Sequence, residues 1–332
     1  MKINVGIDEK IKEPDIEKLV EYGADEFFCG IMTDEWVKYY GRGTSTNRRT
    51  SIGEQFINLG ALKKIVNKVH DLGKKITVVF NAHTYIEEQY PIIMEYLRIF
   101  CGHGIDAVTV TNLDLLCRIV SAFPGLPVYI SSDAGVYNSE AAKFYKNFGI
   151  KRIILPRHLT VGEIKGIVED NPGVEYECFI MEMRCAFEGA YCALSHGWAT
   201  GPLCQEENKK NYYRYLPGNR KATRITPEEY LKTGANKLCY DTWCHKNAVT
   251  QIFMRSRDRN IQQCGLCKIA DLKRIGVTAL KIATRGTNNE SKFISVQLVR
   301  KVIDNPAADE EFCRHARGHR EICDLKYMCY YR

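Results

Sequence analysis

The chain has 332 residues, 45% of them hydrophobic and 26% charged, with 14 cysteines and a formal net charge of +7. That length buries a full core, and the balance is that of a globular protein, which excludes disordered and collagen-like classes. No apolar run approaches the roughly 18 residues of a membrane span. The opening MKINVGIDEKIKEPD lacks an apolar signal segment, so a cytoplasmic protein without membrane insertion is expected.

Lys2–Ile7 reads as a short strand. Pro14 then opens an amphipathic helix that Gly23 ends, following the preference for proline at the start of a helix and glycine past its end. Glu26–Met32 is a second strand, followed by the polar, basic loop KYYGRGTSTNRRTS, and Ser51 is expected to cap a helix to about Leu72. Lys75–Asn81 is the third strand. Helices over 87–100, 113–123, 138–148 and 161–168 then alternate with strands Asp106–Val110, Pro127–Ser131, Lys151–Leu155 and Val174–Met181. After a long interruption come the helix LCKIADLKRIG, the strand Thr278–Ala283 and a helix over 291–302.

Eight strands, read as near-continuous apolar runs and each followed by a helix, predict parallel strands buried on both faces. The fold class expected is α/β, a (β/α)8 TIM-type barrel with a Cys-rich insertion before the last strand; without the insertion, about 250 residues remain, the usual barrel size. The expected division is 1–185 and 263–305 as barrel, 186–262 as an insertion carrying part of a cluster site, and 306–332 as a Cys-rich C-terminal tail. Active sites of such barrels lie at the C-terminal ends of the strands. The polar residues there are Cys29, Asn81, His83, Asp133, Arg157, His158, Glu182, Arg184, Cys185 and Arg285.

Disulfides are rare in a reducing cytosol, so clustered thiols point to metal or redox chemistry. Cys101, Cys117 and Cys178 fall on apolar faces and read as core. Cys185, Cys192 and Cys204 lie just past the seventh strand, with a fourth ligand available from the CGLC run at Cys264–Cys267. Loop thiolates at irregular spacing suit an iron–sulfur cluster. Zinc held by tight knuckles is the alternative, drawing on Cys264 and Cys267 or on Cys239 and Cys244 beside His245.

The segment ECFIMEMRCAFEGAYCALS at 177–195, with Thr200, Gly201 and Cys204, resembles the collagenase-like peptidase family U32. VVFNA at 78–82, NSEAAKF at 138–144, ILPRHLTVGEI at 154–164 and LKIATRG at 280–286 carry the resemblance further. It implies a 4Fe–4S barrel, with the ligands falling on Cys185, Cys192, Cys204 and Cys267, and Cys264 as the rival for the fourth place. It also implies, despite the family name, kinship with oxygen-independent hydroxylases of tRNA, rRNA or the ubiquinone ring, some using prephenate as oxygen source. Met181–Glu182 stands where the family has His-Gly, and Asp133-Ala-Gly135 where it has Gln-x-Asn.

A peptidase needs an activated nucleophile or a metal-bound water, and neither GxSxG nor HExxH occurs. The expected function is therefore hydroxylation or a related redox modification, with a collagenase-like peptidase or a non-catalytic cluster-bearing subunit as alternatives. Asp133 and Glu182 are the expected proton-handling residues, and Asn81, Arg157, Arg184 and Arg285 the expected substrate contacts. Partners expected are a small anionic substrate or RNA, and a paralogous subunit. Lys209, Lys210, Tyr212, Tyr213, Arg214 and Tyr215 in the insertion offer phosphate and base contacts. Cys313, Cys323 and Cys329 in the tail raise a second metal site, zinc or iron, with Cys239, Cys244 or Cys264.

Overall fold

The computed structural model describes residues 1–41, 44–49, 52–182, 189–192, 212–214, 223–225, 263–318, 323 and 329–331. Arg184, Cys185, Cys204, Cys239 and Cys244 lie outside them. The strands β1 Lys2–Gly6, β2 Glu26–Cys29, β3 Lys75–Phe80, β4 Ala107–Val110, β5 Val128–Ile130, β6 Arg152–Ile154 and β7 Glu175–Met181 follow one another around a parallel sheet. β8 Tyr212–Arg214 and β9 Thr223–Ile225 form a separate antiparallel pair. β10 Ala279–Ile282 then inserts between β7 and β1 and closes the barrel. This is the TIM-type (β/α)8 architecture that the alternation predicts. Among the described residues no helix is long and apolar enough to cross a membrane.

The outer helices are α1 Glu13–Glu21, α2 Asp34–Tyr40, α3 Leu59–Asp71, α4 Tyr90–His103, α5 Leu113–Ala122, α6 Ser139–Lys146, α7 Val161–Asp170, α8 Ile269–Arg274, α9 Asn289–Ile303 and α10 Glu310–Arg317. Three differ from expectation. Part of the loop expected after β2 holds α2, whose cap Thr33 accepts the Trp36 N–H at 3.2 Å and whose Trp36 is buried. The helix expected from Ser51 begins only at Leu59, where Asn58 accepts the Ala61 N–H at 3.0 Å; Ile52–Glu54 is a lone 3-10 turn. α10 in the tail had no counterpart in the sequence reading.

The strands are not uniformly apolar, as the sequence reading had them. Ile3, Val5, Phe27, Ile76, Val78, Phe80, Val108, Val110, Ile153, Leu280 and Ile282 alternate with Asn4, Glu26, Thr77, Thr109, Arg152, Glu177 and Lys281, all of them buried. Arg152 on β6 reaches Glu26 on β2 at 2.5 Å, and these strands are not neighbours, so the bond crosses the barrel interior. Arg152 also meets Glu177 at 2.8 Å and Glu175 at 2.6 Å, and lies over the Tyr129 ring at 4.5 Å. Glu177 in turn takes Lys281 at 2.8 Å and the Asn4 amide at 3.1 Å. Lys281, Asn4 and Glu26 stand side by side in the register. The lower barrel is thus a closed ionic layer, with carboxylates Glu26, Glu175 and Glu177 matched by Arg152, Lys281 and Lys2.

Candidate functional site at the barrel mouth

At the opposite end the strands stop and their loops turn polar. Asn81, one residue past β3, donates its side-chain N–H groups to Ser131 Oγ at 3.1 Å and Asp133 Oδ2 at 3.0 Å. Its Oδ1 accepts the Arg48 backbone N–H at 3.1 Å, so one amide ties the loops after β2, β3 and β5 together. Asp133 sits on a short 3-10 turn, Ser132–Ala134, capped by Ser131. Gly189, from the loop after β7, comes so near that a Cβ there would lie 1.9 Å from Asp133 Oδ1; glycine is required for that approach.

His83 completes this group. Burial, with the nearby Arg48 charge, pushes its pKa down, while Asp133 and a hydrogen bond to the Gly189 backbone act the other way. The imidazole is therefore neutral near pH 7, and its buried Nε2 has no hydrogen-bond partner among the described residues. Arg157, half-buried, lies over the Phe179 ring at 3.9 Å, and its Nε likewise has no partner among the described residues. Both atoms leave hydrogen-bonding capacity at the barrel mouth for water or a polar ligand.

Across the mouth Arg285, past β10, donates to Asn47 Oδ1 at 3.2 Å, and Asn47 pairs with Gln55 at 2.9 Å. A Cβ on Gly30 would stand 2.1 Å from Gln55 Oε1 and 2.5 Å from Arg285 Nη1, so glycine after β2 makes room for this amide–guanidinium cluster. Burial, with the neighbouring Arg49 charge, pulls the Arg285 pKa down to about 10, and the charges of Glu54, Cys29 and Asp133 partly restore it. Cys29 beneath it is fully buried, and burial pushes its thiol up to about 12. Such a thiol is a core residue, not a nucleophile. At this end Arg48 and Asp133 act on His83, and Arg49, Glu54 and Asp133 act on Arg285, so among these described residues the arginines outnumber the carboxylates, a balance suited to an anion.

The structure brings Asn81, Asp133 and His83 together, with Arg157 and Arg285 at the same end of the barrel. Glu182 is placed differently. It adopts a left-handed backbone, φ 68°, and its carboxyl accepts from Ser295 Oγ on α9 at 2.8 Å. Its carbonyl accepts from Tyr330 Oη at 2.6 Å. Among the described residues no hydrogen bond or ion pair joins it to Asp133. Of the expected cluster ligands, Cys192 is half-buried in the loop at 189–192, and the Cys267 thiol is hydrogen-bonded to Cys313 on α10. The sequence reading passed over Asn47, Arg48, Arg49, Gln55 and Ser131. The run TNRRT carried a signal, amides and arginines after a barrel strand. It also passed over Tyr191, 79% exposed and stacked on Tyr137 with centroids 5.4 Å apart and planes 10° apart.

Burial raises the Glu182 pKa to about 7 from the usual 4.5, against the opposing pull of Ser295 and Lys292. Below pH 4.5 the group is protonated in both folded and unfolded chains. Between 4.5 and about 7 the folded chain holds a proton that the unfolded chain has lost, so stability falls as pH rises through that window. The Glu182→Gln variant removes this slope. It is expected to match the wild type at pH 4.5 and to exceed it by roughly 3 kcal/mol at pH 8, read by urea unfolding. Parallel stability curves for the two proteins would show that the carboxyl ionises freely.

The model of peptidase family U32 matches residues 14–326. The chain is 28% identical over 323 residues to tRNA hydroxylation protein P of Escherichia coli, covering 88% of this chain and 66% of that one. It is 26% identical over 291 residues to the protein of the same name in Haemophilus influenzae, covering 77% and 60%. It is also 29% identical over 184 residues to an uncharacterized protease of Methanocaldococcus jannaschii, covering 54% and 41%. The chain thus spans less than two thirds of the length of each of these relatives.

Proposed function

Because the chain belongs to peptidase family U32, we propose that its barrel mouth hydroxylates RNA and does not cleave peptides. The observation that carries this reading is the Asn81–Asp133–His83 group, with Arg157 at the same end of the barrel; His83 Nε2 and Arg157 Nε have no hydrogen-bond partner among the described residues. The names of the E. coli and H. influenzae relatives support tRNA as the substrate class. Arg157 and Arg285 bind phosphate or carboxylate, as planar donors suited to both. Asp133, held by Asn81, moves a proton at the substrate, and neutral His83 offers Nε2 as a second polar contact. The outer face of the Tyr137–Tyr191 stack gives an unpaired base a surface to lie on.

Hydroxylation without molecular oxygen takes its oxygen either from water, with a two-electron acceptor, or from an oxygen-donating organic co-substrate. A 4Fe–4S cluster on Cys185, Cys192, Cys204 and Cys267 would supply the electron transfer when bound. Cys185 and Cys204 lie outside the described residues, Cys192 is half-buried in the loop at 189–192, and the Cys267 thiol is hydrogen-bonded to Cys313. The binding and proton roles of Asp133, His83 and the arginines stand without it.

The test is nucleoside mass analysis of total tRNA from anaerobically grown cells with and without the full chain. One nucleoside carrying an added oxygen, present only with the chain, is expected. Unchanged tRNA together with steady peptide cleavage by the purified protein would replace this reading with the peptidase one.

A further inference from the structure

Two non-glycine residues among those described have a left-handed backbone, Glu182 at φ 68° and Tyr331 at φ 60°, and they belong to one small assembly. Cβ sterics disfavour that conformation, so such residues persist only where the surrounding structure over-determines them, and they concentrate at functional sites. What holds them here is a short ribbon beside the end of β7. Cys264 bridges Met181 on one side and Cys329 on the other. The ribbon is tied by the Glu182 N–H to the Gln263 carbonyl at 3.0 Å, the Gly265 N–H to the Ile180 carbonyl at 2.8 Å and the Tyr330 N–H to the Cys264 carbonyl at 2.9 Å. On its other side the Glu182 carboxyl is held by Ser295.

Two phenols then reach across the ribbon to the β7 chain itself. Tyr330 Oη donates to the Glu182 carbonyl at 2.6 Å, and Tyr331 Oη donates to the Phe179 carbonyl. Both side chains are buried. A Cβ on Gly265 would stand 3.1 Å from both Ile180 and Tyr330 and 3.2 Å from Tyr331, so glycine there lets the two tyrosines close over the ribbon. Both residues that they grip lead to the barrel mouth. The Phe179 ring lies under the Arg157 guanidinium at 3.9 Å. Glu182 is the last described residue before Gly189, which packs against Asp133, and Tyr191, which stacks on Tyr137. A segment that merely covered the barrel needs neither a left-handed tyrosine nor hydroxyls aimed at two β7 carbonyls, since phenylalanine on relaxed backbone fills the same space.

We propose that Tyr330 and Tyr331 are positioning residues of the barrel mouth. Tyr330 acts through the left-handed turn at Glu182 on the seating of Gly189 against Asp133. Tyr331 acts through Phe179 on the Arg157 guanidinium. The segment 329–331 thereby belongs to the site although none of its residues touches Asp133, Asn81 or His83 through a hydrogen bond given among the described residues. The kinetic part of the test rests on the RNA-hydroxylation reading above; the exchange part does not.

The full chain, purified anaerobically, is compared as wild type, Tyr330→Phe, Tyr331→Phe and, as a control, Tyr176→Phe. The control loses an equally buried hydroxyl, which donates to the Asn171 carbonyl at 2.9 Å near the start of β7. The Glu182 and Cys192 amides bond the Gln263 and Gly189 carbonyls. Their hydrogen exchange is expected to speed by about tenfold in Tyr330→Phe, as is that of the Gly265 amide in Tyr331→Phe, while all three keep the wild-type rate in Tyr176→Phe. In tRNA product formation Tyr330→Phe should lower kcat by about ten- to hundredfold and leave KM within about threefold, whereas Tyr331→Phe should raise KM by about tenfold. Wild-type exchange at these amides in both variants overturns the proposal. So do wild-type kcat and KM in both with exchange altered, which would make the segment a structural strap. Kinetic losses of the same size in Tyr176→Phe overturn it as well, since they would show a general softening of the barrel. If the wild type forms no RNA product, the hydroxylase reading falls, and the exchange result alone decides whether residues 329–331 hold the mouth.

Discussion

Replacing Asp133 by Asn is expected to lower the rate of RNA product formation by about 10²–10⁴-fold, the range lost when a positioned proton-transfer group is removed. The substitution keeps size and shape. It replaces the oxygen that accepts from Asn81 at 3.0 Å with a group that either repels that amide or turns its own N–H₂ toward the mouth. Affinity for tRNA should change by little, because the arginines that meet the anion are untouched. The measurement is product formed per unit time at saturating and limiting tRNA, so that kcat and KM are read separately. A variant with kcat within threefold of the wild type would make Asp133 a structural partner of Asn81 and remove it from the chemistry.

The second large effect lies at the other end of the barrel. Arg152→Met is expected to destabilise the protein by about 3–5 kcal/mol, since removing one member of a buried ion pair leaves the other charge without compensation. Arg152 is 0% exposed and meets Glu26, Glu175 and Glu177. Lys281 holds Glu177, Lys2 meets Glu26 and Glu175, and Lys151 meets Glu175, but among the described residues no other ion pair crosses from β6 to Glu26. Urea unfolding at pH 7 reads the loss. The layer also has an acid limit. Burial alone would raise the Glu177 pKa, yet the charges of Lys281 and Arg152 outweigh it and hold the group at about 2. The stability from that ionisation is complete above the usual 4.5 and is lost as pH falls toward 2. A loss below 1 kcal/mol in Arg152→Met, with the same acid limit, would show that the layer relaxes around the gap.

The eight strands were legible because β-branched and aromatic runs recur at barrel spacing, each followed by an amphipathic helix. Their polar inner face was not. Glu26, Arg152 and Glu175 open their strands, where a charge reads as a boundary, and only closure brings β2 and β6 opposite each other. The α2 helix was legible in principle, since Thr33 with Asp34 and Glu35 is a capping start; the glycines and polar run after Tyr40 outweighed it. At the mouth, Asn81, Asp133, Arg157 and Arg285 follow from position alone, as polar residues past strand ends. The placement of Glu182 does not, because a left-handed backbone at a non-glycine residue turns its carboxyl toward α9, and no residue-level pattern announces that turn. The meeting of Cys267 with Cys313 depends on where α10 docks, a long-range contact that local spacing cannot encode.

The position of β10 between β7 and β1 has a consequence for how the chain is made. As the polypeptide leaves the ribosome, seven strands are available once Met181 has emerged, but the eighth follows only after residues 182–278 have been synthesised. At about 5–20 residues per second this takes roughly 5–20 s. Throughout that interval the sheet is an open half-cylinder, with β1 and β7 presenting bare edges and Glu177 lacking the lysine it is paired with in the finished barrel. Bare edges of this kind invite edge-to-edge pairing, so slower translation over the insertion is expected to lower the yield of finished barrel.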